Sequence, residues 1–483
     1  LNKLTNLEPK RVFYYFEEIT KVPRCSLKEE KIADYLENFA KSHNLKCLRD
    51  VNNNIVIKKD GSKGYENAPI LIIQGHMDMV CEKADNCTIN FDTDPIEFEV
   101  EGNIIIARET TLGADNGIAV AMALAILESD KIAHPPLEVL ITTNEENGMT
   151  GAHNLDGKML EGKMLLNLDS ESEGVACVAC AGGKRDILSF DKKFEKARNS
   201  REFYELTVTG LKGGHSGQEI KKGLGNSNKL MGRSLYEINK EFDIDLVDIS
   251  GGAKPNAIPR LAKSIISIKP DDKKRIQDLI VKLNRNFVRE LGKVDPDVRL
   301  NFEKTSNYES VLKTEIKENI INLLNILPNG VQSMSQDIDG LVGSSVNVGV
   351  IESFEDEIRI TTNIRSALQS LRDEISDRHK VCAKVCDAEY SVQSEYPAWE
   401  YKDVSHLRDV AAKAYKEITG EELKLEAIHA GLECGLFKET IGDIDMLSIG
   451  PNIHGPHAPG ENLEIESTNR VYNFVIEILK NLK

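Results

Sequence analysis

Leu71-Ile-Ile-Gln-Gly-His-Met-Asp-Met-Val80 is the stretch from which the rest of the chain can be placed. An apolar, largely β-branched run ending at Gly75 reads as a buried parallel strand. Gly75 is expected to let the backbone turn out of the sheet. His76 and Asp78 then stand at the carboxyl end of a strand, where open α/β sheets place their sites. Alone, a His-x-Asp pair is most often a core histidine beside a loop acid. It gains weight only from similar stretches elsewhere.

Three more stretches repeat the pattern. Ile104–Arg108 reads as a strand leading into Thr110-Thr-Leu-Gly-Ala-Asp-Asn-Gly117, and the run from Ile118 is a strong helix former, apolar nearly all round. Asp115 just before it has an ordinary use as a helix cap. Leu137–Thr143 is a further buried strand, followed by Asn144-Glu-Glu-Asn-Gly-Met-Thr-Gly151. Adjacent Glu145 and Glu146 beside a core are costly unless a cation or a shared proton compensates. Met164-Leu-Leu-Asn-Leu-Asp-Ser170 ends a strand in Asp169, and Ser448-Ile-Gly-Pro-Asn-Ile-His-Gly-Pro-His-Ala-Pro459 is a Gly/Pro-punctuated loop carrying His454 and His457. Four strands thus deliver an acid or an imidazole at one end, which marks a site.

The 483 residues exceed one ordinary core. After about Asp186 the pattern changes to β-α-β-β-α-β followed by a near repeat, and Tyr396-Pro-Ala-Trp-Glu marks the return to the first pattern. The expectation is a discontinuous α/β domain, 1–186 with 397–483, interrupted by an inserted α+β domain, 187–396. A composition 40% hydrophobic and 29% charged is that of a globular protein, and the formal charge of −17 argues against a nucleic-acid or anionic-membrane partner. No stretch reaches transmembrane length and the opening residues do not read as a signal peptide. Nine scattered cysteines, an odd number, are read as reduced and the expected location therefore as the cytoplasm, with Cys177-x-x-Cys180 as packing.

His76, Asp115, Glu146, Asp169 and His457 make two imidazoles and three carboxylates, a donor set suited to first-row divalent metals and zinc first. Five ligands overfill one catalytic zinc but fit two ions sharing a bridging carboxylate. Paired metals about 3.5–4 Å apart polarise a carbonyl and acidify a water, which is peptidase chemistry. One glutamate of the Glu145/Glu146 pair must then be the general base.

These motifs also carry a resemblance. Gly75-His-Met-Asp78, Gly113-Ala-Asp-Asn-Gly117, Asn144-Glu-Glu-Asn-Gly148, Asn167-Leu-Asp169 and Gly455-Pro-His457 resemble those of the co-catalytic zinc peptidases that include aminoacylase and glutamate carboxypeptidase. Leu211-Lys-Gly-Gly-His-Ser-Gly-Gln-Glu-Ile220, Gly223-Leu-Gly-Asn-Ser-Asn-Lys229 and Ile428-His-Ala-Gly-Leu-Glu-Cys-Gly435 narrow the resemblance to the aminoacyl-histidine dipeptidases, over nearly the whole length. It implies a zinc-peptidase catalytic domain with a mixed central sheet flanked by helices, and an inserted α+β lid that also dimerises. It further implies two zinc ions per chain, replaceable by cobalt or manganese. Asp115 would bridge them, with His76 and Asp169 on one ion and Glu146 and His457 on the other. Glu145 would be the base and Asp78 would hold the His76 ring. His215 would stabilise the oxyanion, Asn256 and Arg365 would grip the substrate carboxylate, and Glu433 would meet the free amine.

The expected activity is hydrolysis of unblocked dipeptides, including Xaa-His substrates. The alternatives are a deacylase or an aminopeptidase on longer peptides, and a metal-stabilised dimeric binding protein. The remaining histidines, His429 and His454 among them, are read as structural.

Overall fold

In the computed structural model, which describes residues 3–483, the chain divides into two compact units. The first comprises residues up to Ala179, Tyr401–Ala427 and Leu432–Lys483, and the second Cys180–Glu400 with Ile428–Gly431.

The first unit is built on an eight-stranded mixed sheet. Its strands are β1 (Lys46–Arg49), β2 (Ile55–Lys59), β3 (Leu71–His76), β4 (Leu137–Thr142), β5 (Met164–Asn167), β6 (Val175–Cys180), β7 (Lys424–Ile428) and β8 (Asp445–Ser448). They lie in the order β1-β2-β4-β3-β5-β8-β6-β7, with β4, β3, β5 and β8 mutually parallel. Every residue of β3, β4 and β5 is buried, which explains their largely apolar composition, with Gln74 and Glu138 as buried polar exceptions. Burial of side chains such as Leu71, Ile72 and Ile73 stabilises the sheet by about 1.5–3 kcal/mol each. The helix Ala114–Glu128 packs against β3 with nearly all its residues buried. Its first turn is irregular, since Asp115 and Asn116 have non-helical backbone and the Asp115–Asn116 peptide is cis.

Gly75 has a different task from the one expected. The strand runs on through His76, and a Cβ on Gly75 would lie 2.4 Å from Asn116 Oδ1 and 2.8 Å from Ala119 Cβ. Glycine is needed there for close approach of the helix, not for a turn.

The second unit holds a nine-stranded antiparallel sheet. Arg299–Lys304, Glu202–Thr209, Ala262–Ile268 and Asp245–Gly251 form one half, in that order. Val342–Ser353, Glu357–Ser366, Gly182–Asp191 and Glu389–Tyr396 form the other, with Gly330–Met334 added beside Val342–Ser353. The two halves have the same internal arrangement, because Gly182–Asp191 supplies the strand that the second half lacks in chain order. This unit therefore begins at Cys180 rather than at residue 187, and it takes in the short segment Ile428–Gly431. Leu206, Met231, Leu235, Ile266, Phe287 and Ile320 lie in its core.

One expectation about the cysteines is corrected. Cys25 and Cys81 form a disulfide, so the chain is not wholly reduced, whereas Cys177 and Cys180 are buried thiols. The pairing was hidden by its 56-residue separation, since only the fold brings the two segments together. Among the described residues no helix is long and apolar enough to cross a membrane.

Candidate metal centre

The parallel strands deliver their polar residues to one end of the first sheet. His76 is the last residue of β3, Glu145 and Glu146 follow β4, and Asp169 follows β5. Asp115 comes from the irregular first turn of the buried helix. His457 lies in the loop after the short strand Ile453–His454 and has a left-handed φ of 64°.

The five expected ligands converge as two groups that share Asp115. His76 Nε2 lies 3.2 Å from Asp115 Oδ1 and 3.3 Å from Asp169 Oδ1. His457 Nε2 lies 3.1 Å from Asp115 Oδ2 and 2.9 Å from Glu146 Oε2. Each oxygen of Asp115 thus faces a different imidazole–acid pair. Metal–ligand bonds of about 2.0–2.1 Å in a tetrahedral site put neighbouring donor atoms roughly 3.3 Å apart. The donors therefore already stand near the separations that two small cations would require. Glu146 Oε1 is also buried without a hydrogen-bond partner, which is costly for a carboxylate unless a cation meets it. On donor chemistry, spacing and this orphaned oxygen, the residues fit a pair of divalent metals.

The electrostatics agree. The hydrogen bond to Asp115, and then that to Glu146, raises the His457 imidazole to about 11. Burial works against a charged His76, yet Asp169, Asp115 and Asp78 outweigh it and hold the ring well above its ordinary value. Burial lifts the Asp169 carboxyl to about 6, with Asp115 and Glu146 adding to the effect and His76 opposing it. Glu145 is likewise pushed well above the carboxylate range by burial, with Asp169, Glu433 and Glu146 near it and His76 pulling the other way. A cluster this crowded with acids calls for cationic charge, and bound dications would reverse these shifts.

Asp78 organises the centre. It is fully buried; Oδ1 accepts the Glu145 N–H at 3.0 Å, and Oδ2 accepts Ser26 Oγ–H at 2.8 Å and the Glu146 N–H at 3.3 Å. The same Oδ1 is 3.4 Å from His76 Nδ1. Burial would raise Asp78, but His76, Ser26 and the Glu145 N–H prevail and hold it below its ordinary value. The carboxylate thus orients the backbone of both glutamates, while the Asp78 carbonyl, 3.2 Å from His76 Nδ1, is the hydrogen-bond partner of the imidazole.

Glu433 opens the helix Glu433–Thr440 and is also buried. Its Oε2 accepts from Gln74 Nε2 at 2.7 Å and Thr142 Oγ at 2.8 Å, while Oε1 has no partner. Burial raises it to about 8.

The other expected site residues belong to the second unit. His215 and Ala257 pair in a two-stranded ribbon, and the Asn256 carbonyl accepts the Ser216 N–H at 2.9 Å. His215 Nδ1 accepts the Gln218 N–H at 3.1 Å, so the neutral ring carries its proton on Nε2. That Nε2 is 3.5 Å from Arg365 Nη2, and burial together with the Arg365 charge lowers the His215 pKa. Arg365 is buried on Glu357–Ser366, where Nη1 donates to Tyr396 Oη at 3.0 Å and Nε is unpartnered. His429, read as structural, is buried with Nε2 2.7 Å from Ser345 Oγ.

Sequence reasoning missed two buried residues that hold the loops next to His76, Asp115 and His457, namely Arg24 and Glu461. Arg24 Nη1 donates to the Met77 and Asp78 carbonyls at 3.0 Å each, and Nη2 to that of Gly113. Glu461 Oε2 accepts the N–H groups of Leu112 and Gly113 at 2.7 and 2.9 Å, and Oε1 that of Asp115 at 3.2 Å. Neither carried a signal in the sequence, since both lie in loops outside any periodic segment and reach main-chain groups far along the chain.

Residues 72–481 match the model of peptidase family M20/M25/M40. The chain is 37% identical over 482 residues to the cytosol non-specific dipeptidase of Escherichia coli (strain K12), covering 100% of this chain and 99% of the relative. It is similar to the crystal structure of aminoacylhistidine dipeptidase from Vibrio alginolyticus, with a TM-score of 0.93 and 36% identity over 99% of this chain and 98% of the other. An aminopeptidase structure from Bacillus cereus, at 15% identity and a TM-score of 0.57 over 99% of each chain, shares the fold. Matched to the family model over most of its length and to a relative across all of it, the chain belongs to peptidase family M20/M25/M40.

Proposed function

We propose that the chain is a metallo-dipeptidase that cleaves unblocked dipeptides, Xaa-His substrates among them, at a centre holding two divalent metals, zinc by preference. The observation that carries this reading is Asp115, which presents one carboxylate oxygen to His76 and Asp169 and the other to His457 and Glu146. The names of the Escherichia coli and Vibrio alginolyticus relatives support the substrate class.

His76, Asp115, Glu146, Asp169 and His457 would hold two such cations, which would supply polarisation of the scissile carbonyl and acidification of the attacking water. The remaining work falls to the protein. Glu145 is the general base, taking the attacking water's proton on its carboxylate and passing it to the leaving amine. Asp78 fixes the backbone of Glu145 and Glu146 and the tautomer of His76. In the second unit His215, protonated on Nε2, is assigned to the oxyanion. Arg365 and Asn256 are assigned to the substrate's terminal carboxylate, a task suited to a guanidinium's paired donors. Glu433, with one free oxygen, is assigned to the substrate's amine. The second unit is also proposed as the dimer contact, and the cytoplasm as the location, following the name of the Escherichia coli relative.

The test is turnover of Gly-Gly, Ala-His, β-Ala-His, a tripeptide and an N-acetylated amino acid by the metal-loaded protein, beside Glu145→Ala. Cleavage confined to the dipeptides, and lost in the variant while metals stay bound, is expected. Hydrolysis of the acetylated compound instead would make the protein a deacylase. Two bound metals with no turnover at all would make it a binding protein.

A further inference from the structure

Arg24 and Glu461 are charged residues almost wholly withdrawn from solvent, at 2% and 1% exposure. Burying such groups is expensive, and apolar replacements of similar volume often serve stability as well or better. Their contacts suggest what they do instead. The Arg24 guanidinium joins the carbonyls of Met77 and Asp78, in the loop after His76, to that of Gly113, just before Asp115. Glu461 takes the N–H groups on the other side of the same turn, from Leu112, Gly113 and Asp115. Because Glu461 follows His457 by four residues, its bonds also tie the loop bearing His457 to Asp115.

The surroundings are shaped to this arrangement. A Cβ on Gly113 would lie 2.4 Å from Arg24 Nη2, and one on Gly117 2.6 Å from the same atom, so both glycines leave room for the guanidinium. The backbone of Arg24 is itself pinned: its carbonyl accepts the Met79 N–H at 3.0 Å, and the neighbouring Cys25 is bonded to Cys81. Ser26, on the same segment, reaches Asp78.

We propose that Arg24 and Glu461 are positioning residues that set the separation of His76, Asp115 and His457, and through it the affinity and geometry of the metal pair. The inference rests on reading this centre as a metal site. Neither residue donates an atom to the metals; both act through the main chain of residues that do. Outer partners of metal ligands typically govern affinity by about 10–100-fold.

The test is titration of metal-free protein with Co²⁺, read by its visible absorption, in wild type, Arg24→Lys, Arg24→Met and Glu461→Gln, with far-ultraviolet circular dichroism as the check on folding. Arg24→Met and Glu461→Gln should bind Co²⁺ about 10–100-fold more weakly and show altered absorption bands. Arg24→Lys, which keeps the charge and some of the donors, should recover part of the loss. The rise in melting temperature on adding Co²⁺ should shrink in both weakened variants, whereas a purely structural role would lower the metal-free and loaded melting temperatures alike. Folded Glu461→Gln with wild-type affinity and spectrum would overturn the proposal, whatever becomes of Arg24→Met. A wild type that binds no Co²⁺ would overturn the reading of the site itself.

Discussion

Asp78→Asn is the substitution whose effect can be worked most fully from the structure. The aspartate accepts three hydrogen bonds while fully buried, and one of its oxygens faces the His76 ring. An amide is nearly isosteric, but it replaces one acceptor oxygen with an NH₂ group. Placed toward Glu145, the amide nitrogen would meet an N–H it cannot accept; placed the other way, it would meet the N–H of Glu146. One or two hydrogen bonds to a charged acceptor are lost, each worth about 1.5–3 kcal/mol, with partial relaxation leaving about 2–4 kcal/mol. At 1.36 kcal/mol per tenfold, kcat/KM should fall roughly 30- to 1000-fold. Part of the loss should appear as weaker metal binding and be recovered at high metal. The remainder should persist in kcat, because the backbone of Glu145 is no longer fixed. Steady-state kinetics on a dipeptide across a metal titration separates the two. Wild-type kcat at saturating metal would refute the assignment of Asp78 as the organiser of the base.

Two further outcomes follow from packing and burial. In Gly450→Ala the new Cβ would lie 1.6 Å from the Ser170 carbonyl, main chain that cannot yield. Overpacking of this kind costs about 1–3 kcal/mol, and because Ser170 follows Asp169 it should also weaken metal binding; urea unfolding with and without metal measures both. Lys229, whose Nζ donates to the carbonyls of Asn325 and Leu327, is pushed by burial to about 8 from 10.5. The folded chain thus holds this proton less tightly than the unfolded one. The penalty is fully present below about pH 8 and fades as pH rises toward 10.5, so stability gains with pH across that window. Lys229→Met should remove that slope, which paired urea titrations from pH 8 to 10.5 would reveal.

Much of the centre was legible because strand ends advertise themselves. Apolar runs such as 139–141 and 164–166 are continuous where both faces of a sheet are buried, and an acid beyond the end of each stands out. Arg24 was not legible. It lies outside the periodic segments, and its partners are carbonyl groups more than fifty residues away. The strand Gly182–Asp191 was assigned partly to the wrong domain because Gly182-Gly-Lys-Arg-Asp186 has no clear alternation and its pairing partners lie far along the chain. The Cys25–Cys81 bond was hidden for the same reason: each cysteine sits in a loop whose place is set by the Arg24–Met79 pairing.

The central claim is that Asp115 joins two metals. Elemental analysis of wild type, Asp115→Ala and Asp169→Ala after saturation with Zn²⁺ and removal of loose metal tests it most directly. Two zinc ions per wild-type chain, one in Asp169→Ala and fewer than one in Asp115→Ala are predicted. A single zinc in the wild type, or two retained without Asp115, would contradict the account.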